Sequence, residues 1–425
     1  MRKPFLPRLA RLALLYAICS GPVDAQDNLP AATVQRAQEA VARVSVQPPR
    51  FQAERYNPAV LHLRFTSAEG KTTSKQTDSF LDITLIPPSG EPEGIRSELS
   101  LAQFRDQLKQ LYRQLSRQDD LKVNDPQSPT RKLHNLLFGG ITPLLQRAQI
   151  STLLVAADRG LQAVPFAALS DGNAFFGDRF AFSLTPSLAL TDLGVSNPTG
   201  RRLLALGASE FEGLAPLPLV PQELDQISVP TRKDAFLNKE FTPERLLDLA
   251  GDPDYNQLHI ATHAEFKPGG PAASQLHSGV GPMTMQQLTA LRQSRKGFPL
   301  DLVVFSACRT ALGDADAELG FSGLALQAGA KSAVGTLWYV DDVVTSAYFV
   351  QMYRYLDQGI PKAEAMQMTR QAFIRGLVRT QGNQVVGDGP EPLLTDLTTS
   401  QRRRLINGAV NPFFWAGIEL MGTPW

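Results

Sequence analysis

Two short apolar runs end in residues that can carry out acyl transfer. Residues 258–262 (Leu-His-Ile-Ala-Thr) lead into His263, and residues 302–307 lead into Cys308. A thiol beside an imidazole is a nucleophile with its own base. The imidazole takes the thiol proton, the thiolate attacks a carbonyl carbon, and the imidazolium returns a proton to the departing amine. Both runs read as buried strands. In an open parallel sheet the site lies beyond the carboxyl ends of the strands, and adjacent strands are about 4.8 Å apart. If these two strands are neighbours, thiol and imidazole meet at one sheet edge. The ordinary explanations stand beside this one: Cys is among the most buried residue types, and a His at a strand end also serves as a hydrogen-bonded core residue.

The other histidines offer no metal site. Four residues of strand separate His259 from His263 by roughly 13 Å, too far to share an ion, and His134 and His277 have no ligand spacing. Neither a metal nor a cofactor is expected. Strand parity places His259 and His263 on the same side of the sheet. Only His263 is at the exit, so His259 is expected to pack beneath it with its ring nitrogens hydrogen-bonded.

The elements that must position the pair follow from the pattern of apolar residues. Residues 60–65 and 81–86 alternate and predict an antiparallel hairpin across a polar turn that includes 71–77. Ser100 caps a helix with Phe104, Leu108, Leu111 and Leu115 on one face, and another helix is expected near 133–145. Buried-strand runs follow at 152–156, 203–206, 258–262, 302–306 and 333–337, with enough chain between them for crossovers. That spacing predicts a parallel sheet covered on both faces. Residues 346–356 and 361–378 predict helices, the second with Pro361 at its first position. The polar stretch 380–410 is expected to be a surface excursion, and 413–421 a closing strand. The fold class is α/β.

Composition narrows the function. The chain has 425 residues, 43% of them hydrophobic, with 42 basic against 41 acidic side chains. A balanced charge on only 20% of residues argues against a nucleic-acid-binding face. Two cysteines exclude a disulfide framework. Arg2, Lys3, Arg8 and Arg11 precede the apolar run 12–19 and the small-residue exit Val23-Asp24-Ala25. This reads as a signal peptide, residues 1–25, cleaved near Ala25, and the run is too short for a membrane helix. Ile18 stands where a lipoprotein signal wants a small residue, so no stable membrane anchor is expected. Cleavage removes Cys19 and leaves Cys308 as the single thiol of a periplasmic or secreted protein. Residues 26–57 are expected to form a helix (29–46) and linker, broken by Pro48-Pro49, before the main domain at 58–425. Within that domain, 58–150 carries the hairpin and helices and 151–425 the core.

Four runs in order carry a resemblance: LHIATHAEF (258–266), DLVVFSACRTALG (301–313), GAKSAVGTLWYVDD (329–342) and NPFFWAGIELMG (411–422). Upstream, LLVAADRGLQAVPFAAL (153–169), LTPS (184–187) and LAPLPLVPQELDQI (214–227) add to it. Together they resemble the CHAT domain, grouped with the caspase-, separase- and gingipain-like cysteine peptidases. The resemblance covers roughly residues 58–425. It implies a caspase-like, mostly parallel sheet with helices on both faces, preceded by a short antiparallel hairpin region. It also implies a cysteine endopeptidase with His263 as dyad base and Cys308 as nucleophile. The backbone N–H groups of Ala264 and Cys308 would line the oxyanion hole. The sequence departs from the family pattern at Ala264, where Gly is usual; Ala keeps the N–H donor but adopts positive φ only at a cost.

The run ending in Asp341 and Asp342 is similar to the separase stretch LWxVTD, where an Asp lines the pocket for a basic residue before the cut. Carried over by position, this assigns substrate binding to Asp342, with Asp341 beside it, and cleavage after Arg or Lys. The competing explanations are that one of the pair caps the helix that follows, or that Asp314, Asp316 or Glu318 supplies the charge. The partners expected are a protein substrate and a separate recruiting or activating protein. The alternative to an enzyme is a non-catalytic CHAT module that binds a partner protein.

Overall fold

The computed structural model describes residues 58–67, 78–158, 160–185, 188, 191, 202–227, 232–265, 272–308, 323, 325–326, 328–339 and 341–425. The expected signal peptide, the helix at 29–46, the hairpin turn at 71–77 and the acids Asp314, Asp316 and Glu318 lie outside the described residues.

Fifteen strands are described: β1 (Pro58–Ser67), β2 (Ser79–Ile86), β3 (Glu93–Leu99), β4 (Thr152–Ala157), β5 (Ala181–Thr185), β6 (Arg202–Gly207), β7 (Arg232–Leu237), β8 (Gln257–Glu265), β9 (Gln275–Ser278), β10 (Gly281–Thr284), β11 (Leu302–Cys308), β12 (Ser332–Thr336), β13 (Arg379–Gln381), β14 (Gln384–Val386) and β15 (Ile418–Gly422). All but β13 and β14, which pair only with each other, form one sheet in the order β7-β6-β8-β11-β12-β15-β5-β4-β1-β2-β3. β9 and β10 extend it from the last two residues of β8.

Within this sheet β7, β6, β8, β11 and β12 are parallel. β15 runs antiparallel to β12 and parallel to β5, β4 and β1. The run at 152–156 is therefore a buried strand, as its apolar composition predicts, but it points opposite to the four runs at 203–206, 258–262, 302–306 and 333–337. The reversal is made by β15, which enters at the edge where β12 leaves, with Ile418 opposite Thr336. The expected hairpin is present as β1 and β2, joined by β3. It is continuous with the main sheet through the β1–β4 ladder, with Leu61 opposite Val155.

Alternation along the strands separates two apolar layers. Leu203 and Ala205 join Ala261, Val304 and Val334 in one cluster; Leu204 and Leu206 join Ile260, Phe305 and Ala333 in the other. Six helices matter here: α1 (Leu101–Ser116), α2 (Val220–Gln226), α3 (Pro243–Gly251), α4 (Asp342–Asp357), α5 (Lys362–Ile374) and α6 (Thr399–Arg404). α2, α4 and α5 cover the first layer, and Leu246 and Ala250 of α3 cover the second. α1 is capped by Ser100, whose side chain accepts from Gln103 N–H, and buries Phe104, Leu111 and Leu115.

Three expectations change in detail. The helix near 133–145 is broken into Pro129–His134, a π-turn at Asn135–Gly139, and Thr142–Arg147. Pro361 caps α5 and lies just before its first residue. The stretch 380–410 is not only surface: Leu393, Leu394, Leu397 and Leu405 are buried in the main core. Its polar residues carry α6 and the β13–β14 hairpin, while the leucines pin the excursion to the sheet.

Candidate active site

Cys308 and His263 are register partners, the last pair of the β8–β11 ladder. β11 ends at Cys308 while β8 runs two residues further, to Glu265, so the register places His263 beside the carboxyl end of β11. The neighbouring strands reinforce that edge. Thr336 Oγ1 at the end of β12 donates to the Ala307 carbonyl at 3.2 Å, and Thr262 Oγ1 donates to the His277 carbonyl on β9.

His263 is half-buried and its orientation is fixed from outside the sheet. Its Nε2 lies 2.7 Å from the carbonyl oxygen of Ala215, in the loop between β6 and α2. A carbonyl only accepts, so Nε2 carries the hydrogen. In the neutral ring Nδ1 then holds the free lone pair. The Phe211 ring packs against the imidazole with centroids 4.7 Å apart. Ala264 lies in the extended strand opposite Leu276 of β9 and is buried at 5% exposure. It is not among the residues with positive φ.

His259 has different surroundings. It is fully buried, with Nε2 3.0 Å from Glu223 Oε1, and its ring sits edge-on to Phe349 and Tyr353 of α4. Only one of its two ring nitrogens is bonded; Nδ1 is buried without a hydrogen-bond partner.

Asp341 and Asp342 follow β12 and start α4. Asp341 is its N-cap, accepting from Val343 N–H at 3.0 Å. Both carboxylates are also held by one guanidinium: Arg404 Nη1 on α6 is 2.5 Å from Asp341 Oδ2 and 2.8 Å from Asp342 Oδ1. Burial pushes the Asp342 carboxyl above its ordinary range, the Asp341 charge adds to this, and Arg404 opposes it. The N-cap role was legible in the sequence. The arginine was not, because 62 residues separate it from Asp342.

Among the described residues no group of three or more His, Cys, Asp or Glu could hold a metal ion. No described helix is long and apolar enough to cross a membrane.

A family model for the CHAT domain matches residues 127–423. The chain belongs to the CHAT domain family. A comparison with the curated proteins finds no match. Among solved structures, this CHAT chain is similar to separase in the Saccharomyces cerevisiae separase–securin complex. One such structure gives a TM-score of 0.52 at 10% identity, over 98% of this chain and 33% of separase. A second gives 0.50 at 10% identity, over 93% and 31%. The CHAT chain thus spans about a third of the separase chain it matches. The crystal structure of the Arg-specific cysteine proteinase gingipain R also aligns, at 9% identity over 68% of each chain, with a TM-score of 0.40. The fold is the α/β, mostly parallel arrangement shared with separase.

Ala215, Glu223 and Arg404 are among the residues of this region to which sequence reading gave no role. Ala215 contributes a backbone carbonyl, which has no side-chain signature. Glu223 stands in the run 214–227, where an acid flanked by apolar residues near a helix start is the available signal.

Proposed function

We propose that this CHAT protein is a cysteine endopeptidase with Cys308 as nucleophile and His263 as its base. The observation that carries the reading is the register pair Cys308–His263 with the imidazole anchored through Nε2 on the Ala215 carbonyl. That anchoring leaves Nδ1 as the proton acceptor. Nδ1 takes the thiol proton, and the thiolate adds to the carbonyl carbon of the scissile peptide. We assign the backbone N–H groups of Ala264 and Cys308 to the oxyanion so formed. The imidazolium then protonates the leaving amine, and water deprotonated by the same ring hydrolyses the thioester.

Cleavage after Arg or Lys is the specificity we assign. The acid pair Asp341–Asp342 already holds a guanidinium, that of Arg404, so its charge and spacing suit a substrate cation, which must displace the arginine. The substrate is a protein, and a separate recruiting or activating protein is a further partner, a reading supported by the similar separase being found in complex with securin. The N-terminal segment 1–25 supports a periplasmic or secreted place of action.

The second reading, a non-catalytic CHAT module that binds a partner, is favoured by Ala264, which is tied into the β8–β9 ladder. The experiment that separates them is cleavage of a peptide library by the purified full chain, with Cys308→Ala as control. The peptidase reading expects products with Arg or Lys before the cut and none from the variant. Equal cleavage by both proteins, or none by either, contradicts it.

A further inference from the structure

Three buried polar side chains meet beneath His263, and the peptidase reading gives them no role. Glu223 of α2 is 1% exposed. Its Oε1 is 3.0 Å from Nε2 of the fully buried His259 on β8, and its Oε2 accepts from Ser346 Oγ on α4 at 2.6 Å. Helix α2, strand β8 and helix α4 are therefore fastened at one point. A carboxylate is an expensive way to fill that space, since an apolar side chain of similar volume packs there without loss of solvation. Apolar packing is non-directional and lets a helix slide. Hydrogen bonds to both carboxylate oxygens, from two different elements, fix its position and rotation.

Helix α2 is also the end of the segment that orients His263. The loop leaving β6 carries Phe211 and Ala215 against the imidazole. It is folded back by Leu217 N–H donating to the Ser209 carbonyl, and passes into α2 through Val220 N–H on the Leu217 carbonyl. Gly207 lets the helix come close to β6: a Cβ there would stand 2.6 Å from Val220 Cγ1 and 2.9 Å from Leu224 Cδ2. The segment is thus stitched to β8 twice, by Ala215 at His263 and by Glu223 at His259. The two histidines are roughly 13 Å apart along one strand.

We propose that Glu223 is a positioning residue for His263. By locking α2 to β8 and α4, it holds the Ala215 carbonyl where the imidazole must present Nδ1 to the thiol. This inference rests on the peptidase reading. A misplacement of about 1 Å in a catalytic group can cost roughly 100-fold in rate, and a shift of α2 is transmitted to Ala215 through the turn at Leu217.

The test uses the full chain and three readouts: kcat and KM separately, the pH–rate profile of Cys308 alkylation by iodoacetamide, and the thermal unfolding midpoint. Glu223→Met keeps the volume and removes both bonds. We expect a folded protein with KM within about 2-fold and kcat lowered about 10- to 100-fold. Its alkylation profile should be displaced along the pH axis. Glu223→Gln, whose amide still serves both partners, restores most of kcat and the profile. A folded Glu223→Met protein with wild-type kcat and an unshifted profile overturns the inference and leaves the network a packing device. If Glu223→Met does not fold, Ser346→Ala decides, because it removes one hydroxyl from the same carboxylate. A displaced profile then supports the inference and an unchanged one overturns it. Failure of the parent reading has a different signature: wild-type alkylation that does not change in His263→Ala, in which case this inference falls with it.

Discussion

Two histidines on β8, four residues apart, meet opposite surroundings. His263 is half-buried opposite the last residue of β11, against a backbone carbonyl and the Phe211 ring. His259 is closed in by Glu223, Phe349 and Tyr353. Strand parity and the place of His263 after the apolar run made this division legible in the sequence, although β8 runs on to Glu265; the partners were not legible, because they come from the β6–α2 loop, α2 and α4. The division predicts different losses. His259→Ala leaves Glu223 buried with one partner missing, which costs about 3–5 kcal/mol of stability. His263→Ala leaves stability nearly unchanged and lowers turnover roughly 10²- to 10⁴-fold. Thermal unfolding and peptide turnover measured on both variants check this. Equal loss of rate with no destabilisation of His259→Ala contradicts the assignment.

At the scale of elements, the start of α4 does two jobs. Asp341 satisfies a helix N–H, and with Asp342 it receives Arg404 from α6. The sequence showed the cap, since Asp before a helix is a common signal. It hid the arginine inside a stretch read as surface, because the leucines that pin 380–410 to the core are too scattered to form a periodic face. The Arg404 ion pairs are partly exposed, so their contribution to stability is about 0–1 kcal/mol. Arg404→Gln is therefore expected to keep its unfolding midpoint within a few degrees. It is also expected to lower KM for peptides with Arg before the cut, since the substrate cation no longer competes with an internal one. Steady-state kinetics on Arg- and Ala-containing peptides decide this. An unchanged KM ratio in Arg404→Gln and in Asp342→Asn removes the acid pair from the binding site.

Across the whole molecule, the central strands of the sheet form two parallel sets running in opposite directions, joined where β15 lies against β12, with antiparallel strands at the margins. Strand existence was legible in the apolar runs, but strand direction was not, because the connections set it and the decisive one is the 380–410 excursion before β15. β15 also carries the acid Glu419, buried between its neighbours, with Oε1 lacking a hydrogen-bond partner. Burial pushes its carboxyl well above the usual range, against the pull of Arg370. An acid with a raised folded-state pKa binds its proton more tightly in the folded chain. Stability therefore falls as pH rises from the ordinary carboxylate range toward the raised value. Glu419→Gln removes the ionisation, and should raise the unfolding midpoint more at pH 8 than at pH 4. A gain of the same size at both pH values, or a loss at pH 8, contradicts this. A cysteine peptidase working on this sheet depends on the set that contains β8 and β11, and the most direct measurement is on the last pair of their ladder. The rate of Cys308 alkylation by an active-site-directed thiol electrophile should exceed that of a free cysteine peptide at neutral pH and fall to the peptide's rate in His263→Ala. A wild-type rate no faster than the peptide's, or one that His263→Ala leaves unchanged, contradicts the dyad.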